Sequence, residues 1–298
     1  MFDLSVVNKD LNCIQRERKP MKREKFDMKK LFLSLCFFSV FVLCSGLALQ
    51  AQESNEELAQ AAANPLADMI SFPLQNNIDT GLGKYDRSRN VLNIQPVVPL
   101  AGGKIITRTI FPIVSLPDIG AESGSYSSGL ADTQFTAFYV PPATGSLTWG
   151  PGVIMEIPTG GEKRGSQKWS IGPSVVALAQ PGPWTLGILA NNVWSVAGNS
   201  DRDSVNKGLI NLFLVRQLGG GLYVNSAPII TVNWKAPSGQ KWIVPLGAGI
   251  GKLFRLGKLP VNAQVGAYYN IVKPDIGPDW QVRVQVQFIL PMSILKGK

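Results

Sequence analysis

Trp280-Gln281-Val282-Arg283-Val284-Gln285-Val286-Gln287-Phe288-Ile289-Leu290 is the stretch whose reading decides the fold. Successive side chains of a strand point to opposite faces. Trp280, Val282, Val284, Val286, Phe288 and Leu290 therefore share one face, and Gln281, Arg283, Gln285 and Gln287 share the other. Two folds use such a ribbon. A soluble sandwich turns the apolar face to a core, whereas a transmembrane barrel turns it to lipid and the polar face to a lumen. Taken by itself the strand favours the commoner soluble sheet. The connections in the rest of the chain reverse that order.

Working back from Leu290, the pattern predicts twelve strands, roughly 67–77, 90–100, 104–116, 129–140, 147–158, 169–180, 183–197, 205–218, 221–235, 242–254, 259–272 and 279–290. Most are long enough to cross a membrane at a tilt, for which about 9–11 residues suffice. The odd-numbered connections read as longer or polar, such as Pro117 to Ser128, Thr159 to Lys168, Gly198 to Ser204 and Lys273 to Pro278. Most even ones are tight, such as Ala101-Gly102-Gly103, Pro181-Gly182 and Gly219-Gly220; Pro141 to Ser146 is longer. Long and short connections in alternation, with both ends of the chain on the short side, are the plan of an outer-membrane barrel. A sandwich has no reason to segregate loop lengths in this way.

The strand faces support the barrel. Val261, Ala263, Val265, Ala267, Tyr269 and Ile271 read as outward, against Asn262, Gln264, Gly266, Tyr268 and Asn270 inward. Val244, Leu246, Ala248 and Ile250 oppose a stripe of Gly247, Gly249 and Gly251, which leaves room in a lumen or lets the sheet bend. Strands 183–197 and 205–218 are apolar on both faces, the signature of contact with a plug, an apolar lumen patch or a subunit interface. Trp149, Trp169, Trp184, Trp194, Trp234, Trp242 and Trp280 fall mostly near predicted strand ends, where aromatic girdles sit.

The start of the chain predicts export. Lys29-Lys30, the apolar run Leu31 to Leu49 and the small-residue exit Leu49-Gln50-Ala51 describe a secretory signal peptide over 28–51, cleaved to give a mature start near Gln52. Residues 1–27 are polar and patternless and read as a disordered or mis-started extension. Leu43 before Cys44 is not the small residue a lipoprotein site needs. Glu53 to Ala63 is the best helical stretch, and 52–66 reads as a lead-in at the barrel rim or in the lumen. The barrel is expected over 67–291, with a tail at 292–298.

Composition removes whole classes of chemistry. The chain has no histidine, and its three cysteines, at 13, 36 and 44, lie at or before the signal. A Ser-His-Asp triad, a cysteine nucleophile and a His-ligated metal are therefore excluded from residues 52–298. The 29 basic and 20 acidic residues fall to 20 and 15 when residues 1–51, with nine and five, are removed. The remaining net +5 is spread along the chain without a basic stripe, which gives nucleic-acid binding little support. No apolar run after Leu49 is long enough for a spanning helix.

Several segments resemble a family of bacterial outer-membrane proteins filed under the meta-pathway of phenol degradation and often labelled "transporter". They are Asn64-Pro65-Leu66-Ala67-Asp68 with Pro73-Leu74-Gln75-Asn76-Asn77, Thr107 to Ile113, Lys168 to Pro173, Pro183 to Gly187, and above all Gly257 to Asn262, Gly266 to Asn270 and Asp279-Trp280-Gln281. The resemblance spans about residues 64–291 and implies passage of small, aromatic compounds among others. Pro291 to Lys298, after the last strand, departs from a barrel ending on its aromatic assembly signal, so Phe288 or Leu290 would have to serve from inside.

The expectation is thus an all-β, twelve-stranded up-and-down barrel in the outer membrane of a Gram-negative bacterium, passing or binding small molecules, with no cofactor and no catalytic residues. Its expected partners are outer-membrane lipid, small solutes and, through the last strand, the barrel-assembly machinery. A structural or adhesive barrel with a filled lumen and an exported soluble ligand-binding sheet are the alternatives. A charge at the lipid midplane of a barrel costs about 2–4 kcal/mol for Arg or Lys, so charges in strand centres are expected to face inward. That argument assigns Arg108, Asp132, Glu156, Arg216 and Arg283 to the lumen, together with Gln134, Asn262, Gln264, Gln281, Gln285 and Gln287. Arg108 shares its predicted face with Ile106 and Ile110, and Arg216 shares its face with Leu212 and Leu214, so in these two strands the charge alone makes the assignment.

Overall fold

The computed structural model describes residues 49–290 apart from 121, 123, 143 and 144, with side chains from residue 55 onward. The expected extension 1–27, the signal peptide as far as residue 48 and the tail 292–298 lie outside the described residues. A helix, α1 (Leu49–Ala62), leads into a single antiparallel sheet of fifteen strands. The first crossing is β1 (Ile70–Leu82), the second β2 (Arg87–Ile94) with β3 (Val97–Leu100), the third β4 (Ile105–Pro117) and the fourth β5 (Tyr126–Leu130) with β6 (Thr133–Tyr139). Then come β7 (Leu147–Ile157), β8 (Lys168–Ala179), β9 (Trp184–Gly198) and β10 (Asn206–Gly219). The ninth crossing is β11 (Leu222–Ser226) with β12 (Ile229–Asn233), and β13 (Trp242–Leu256), β14 (Leu259–Val272) and β15 (Trp280–Leu290) complete the set.

Each crossing pairs with its sequence neighbours, and β15 returns to β1 in register from Ile70 opposite Leu290 to Thr80 opposite Trp280. The sheet is therefore a closed twelve-stranded up-and-down barrel with no free edge. Every predicted strand has its crossing. The ends of the first two are displaced: β1 runs on to Leu82 and β2 already begins at Arg87, so the first connection is the tight Gly83–Asp86 turn, where a longer loop is predicted. The other odd connections, from 118–125 to 273–279, are longer than the even ones except 140–146, which matches the shortest of them, and α1 and the end of β15 lie on the short-turn side.

Three crossings are broken where a strand meets Gln95-Pro96, Ala131-Asp132 and Ala227-Pro228. Proline lacks the N–H that a ladder needs, so two of the breaks fall at proline. At the first two, backbone bonds still reach the neighbouring strands: Gln95 N donates to Pro73 O, Thr109 N to Pro96 O and Ala131 N to Pro112 O. At the third the chain turns into the lumen, as described below.

The outer surface is apolar. Phe111, Ile113, Val153, Val175, Ile188, Leu214, Leu246, Ile250, Val265 and Val284 are exposed on it, and such a band on a closed barrel faces lipid. Trp149 and Trp184 stand at its short-turn margin, and Trp169, Trp194, Trp234, Trp242 and Trp280 at its long-loop margin. Within that second belt Trp234 meets Trp242 edge-on at 5.5 Å, and Tyr269 meets Trp280 at 5.0 Å. Val284→Arg, in the middle of this band, is expected to cost about 2–4 kcal/mol. The check is the urea midpoint for refolding into vesicles; Gln285→Arg, one residue on and facing inward, should cost less.

Candidate functional site in the barrel lumen

The short-turn mouth is occupied by the chain's own lead-in. Ala59 of α1 is buried against Leu253 and Ile289, both on inward positions, with Leu58, Ala62 and Met69 beside it. Gln60 ties the helix to the turn between β8 and β9: its amide donates to Gly182 O at 3.0 Å, and Gln180 Nε2 donates to Gln60 O at 2.9 Å. After the helix, Leu66 inserts among Ile106, Phe138, Val176, Leu178 and Leu189, with Leu209 and Phe213 alongside. This contact explains why β9 and β10 are apolar on both faces: one face meets lipid and the other meets the plug.

The other side of the lumen is packed with polar groups. Arg283 lies buried over the ring of Tyr268 at 4.6 Å and donates to Asn77 Oδ1 (3.2 Å), Gln281 Oε1 (2.9 Å) and Ala227 O (2.9 Å). The bond to Ala227 passes over two strands, β13 and β14, and with Ala227 N donating to the Tyr268 hydroxyl it holds the broken ninth crossing inward. Gln281 in turn donates to Asp79 Oδ1, and Arg89 closes on Asp79 Oδ2 with both Nε (2.8 Å) and Nη2 (2.7 Å). On β14, Asn262 accepts from Tyr223 Oη (2.8 Å) and donates to Gln287 Oε1 (3.2 Å), and Gln264 accepts from Asn225 Nδ2 (2.8 Å). Gln285 stands between them in register with Gln75 and Gln264.

The glycine stripe of β13 makes this packing possible. A Cβ on Gly251 would stand 2.3 Å from the Tyr223 ring, one on Gly249 2.7 Å from Asn225 Oδ1, and one on Gly247 2.8 Å from Tyr268 Cδ1. The absent side chains are thus the space into which two tyrosines and an asparagine lie.

Toward the long loops a second bridge spans the lumen. Glu156 on β7 is buried, accepts from Gln134 Nε2 at 2.9 Å and pairs with Lys207 Nζ on β10 at 3.0 Å, across β8 and β9. Lys207 also lines a vestibule of about 580 Å³ between the loops, with Ser166, Asp201, Arg202, Asp203 and Lys235. Between that bridge and Leu66 lies a cavity of about 240 Å³ whose wall includes Gln95, Arg108, Gln134, Phe138 and Leu209. Arg108 Nη2 donates to Gln95 Oε1 there. Among the described residues no carboxylate pairs with Arg108.

Two residues assigned to the lumen by their charge stand elsewhere. Arg216 faces outward with Leu212, Leu214 and Leu218 and lies 5.2 Å over the ring of Trp184. It sits near the short-turn end of β10, where a long cationic side chain reaches the interface and escapes the midplane penalty. Asp132 sits at the rim, in the break between β5 and β6. It accepts from Gly160 N (3.0 Å), Ser166 N (2.6 Å) and Ser166 Oγ (2.7 Å), so its charge caps the 158–167 loop. Conversely Asp79, Arg89 and Lys207 carry the inner ion pairs and were not singled out by the sequence. Arg89 and Asp79 fall on residues read as loop, although extending the Gln75-Asn77 alternation by one step reaches Asp79. Lys207 sits in a strand that is apolar on both faces.

No protein-family model matches the chain, and no curated protein matches it in sequence. Among solved structures the chain is similar to an outer-membrane channel of the COG4313 group from Pseudomonas putida F1, with a TM-score of 0.56 at 13% identity over 74% of this chain and 96% of that one. It is also similar to the NanC porin, with a TM-score of 0.51 at 8% identity over 74% of this chain and 100% of that one. With the closed register and the apolar outer band, these likenesses identify the fold as that of an outer-membrane β-barrel.

Proposed function

We propose that this protein is an outer-membrane channel of a Gram-negative bacterium that passes small amphipathic solutes, aromatic compounds among them, and prefers anions to cations. In this reading a cleaved signal peptide exports it, and the last strand presents it to the assembly machinery. The resemblance to the phenol meta-pathway family points the same way on substrate class. One observation carries the reading: a hollow persists inside the barrel, between the vestibule and the plug, and among the described residues its wall holds the guanidinium of Arg108 and no carboxylate. Asp79 is matched by Arg89 and Glu156 by Lys207, whereas Arg108 and Arg283 have no carboxylate bonded to them among the described residues. A lumen with excess positive field favours anions.

The seat of Leu66 and α1 in the short-turn mouth favours a second reading, a structural barrel with its lumen filled. Planar bilayers separate the two. Wild type in a potassium chloride gradient is expected to show a small conductance with a reversal potential displaced toward chloride, and Arg108→Gln to bring that potential closer to zero. A barrel that migrates as folded in unboiled gels yet never conducts and takes up no solute supports the filled barrel.

A further inference from the structure

We infer that the cavity beside Arg108 is a binding site for a small monocarboxylate with an apolar body about the size of one aromatic ring. The inference deepens the channel reading and rests on it only for how the ligand arrives. Guanidinium carries five N–H donors in a planar fork, and among the described residues Arg108 bonds to Gln95 and to no carboxylate. Arg108 is partly exposed and lines the cavity, so the rest of its fork is open to whatever enters. Among the described residues no Asp or Glu lines the cavity, and Glu156, bonded to Gln134 of its wall, is already paired with Lys207. A carboxylate matches the fork bidentately and supplies the missing charge.

The rest of the wall sets the body of the ligand. Asn93, Asn191 and Asn211 stand around the cavity as neutral amides, while Ile110, Phe138, Ile154 and Leu209 give it apolar surface. At about 240 Å³ it lies below the roughly 300–1,000 Å³ of drug-sized pockets. A dianion would bring a second charge for which the wall, among the described residues, has no second cation, a cation would meet Arg108, and a neutral arene would leave the guanidinium unpaired. A monoanion with a single apolar ring sets its charge on Arg108 and its ring against the apolar side of the wall.

The test titrates benzoate and its neutral isostere benzamide into the full processed protein in detergent, by calorimetry or saturation-transfer NMR, with folding checked by unboiled gel migration. Wild type should bind benzoate at least roughly tenfold more tightly than benzamide, the scale of one charge-assisted hydrogen bond. Arg108→Gln should abolish that preference and Arg108→Lys should keep part of it. Leu209→Trp, which fills the cavity and leaves Arg108 in place, should abolish binding of both. Equal affinity for the two ligands in wild type, or benzoate binding that survives Arg108→Gln or Leu209→Trp, overturns the site. If Arg108→Gln does not fold, the benzamide comparison and Leu209→Trp still decide. Benzoate binding to a barrel that never conducts overturns the channel and leaves the site, whereas a conducting barrel indifferent to benzoate does the reverse.

Discussion

Leu66→Asp should raise the solute flux of the reconstituted barrel by more than roughly tenfold while leaving the barrel itself folded. Leu66 fills an apolar nest made by Ile106, Phe138, Val176, Leu178 and Leu189, and that nest is also the floor of the Arg108 cavity through Phe138 and Leu189. Truncating a buried leucine costs about 2–5 kcal/mol, and a buried carboxylate without a partner costs more. The wall does not depend on this contact, since all of its strand pairing is with other strands. The cost therefore falls on the seat of the lead-in segment. Among the described residues the rest of its hold includes the small cluster of Ala59, Leu253 and Ile289 with Leu58, Ala62 and Met69, the bonds at Gln60 and one from Arg255 Nε to Asn55 Oδ1. Liposome swelling with a neutral sugar, run beside an unboiled gel, checks the result. An unchanged swelling rate in a folded variant would show that the obstruction lies higher, at the Glu156–Lys207 bridge. Leu66→Met, which conserves volume, should behave as wild type.

The architecture was legible in the sequence because a barrel wall is written in two strong signals. Alternation fixed which of Gln281 to Leu290 faces in, and the segregation of long and short connections decided between lipid and a core as the home of the apolar face. The interior was legible only in part, for physical reasons that differ from residue to residue. Arg108 and Arg216 look alike locally, each flanked by aliphatic residues on its own face, yet one points in and the other out. What separates them is depth: Arg216 lies a turn from the margin, where Trp184 offers its ring and headgroups offer solvation, and depth is not written in a period of two. Asp132 looked like a lumen charge because alternation carries through it, but the break beside it places the carboxylate at the rim, within reach of two backbone amides of the next long loop. The plug left a clearer trace. An inward face with leucine and phenylalanine where water is expected needs a covering, and Leu66 is what covers it.

The second large effect is expected at Arg283. Arg283→Met should lower the stability of the folded barrel by about 3 kcal/mol, because it leaves the acceptors at Ala227 O and Gln281 Oε1 without their donor in a packed interior, at about 1–3 kcal/mol each. The methionine keeps most of the volume and still lies over Tyr268, so the loss measured is mainly that of the fork. Arg283→Lys retains the charge but has a single ammonium for acceptors on three strands, and should fall between the two. Neither change unpairs Asp79, which keeps Arg89. The position of the loss is as telling as its size. Between Asn225 opposite Gly249 and Thr231 opposite Ile243 the ninth and tenth crossings share no paired residues, so the inward turn at Ala227-Pro228 is held by side chains: Arg283 and Tyr268 on Ala227, Asn211 Nδ2 donating to Pro228 O and Ser226 Oγ donating to Gly247 O. Amide exchange in residues 226–230 should therefore quicken in Arg283→Met well before the strands on either side loosen. A urea midpoint equal to wild type, with unaltered exchange in that segment, would show that Tyr268, Asn211 and Ser226 suffice to hold the turn and that Arg283 serves only the field of the lumen.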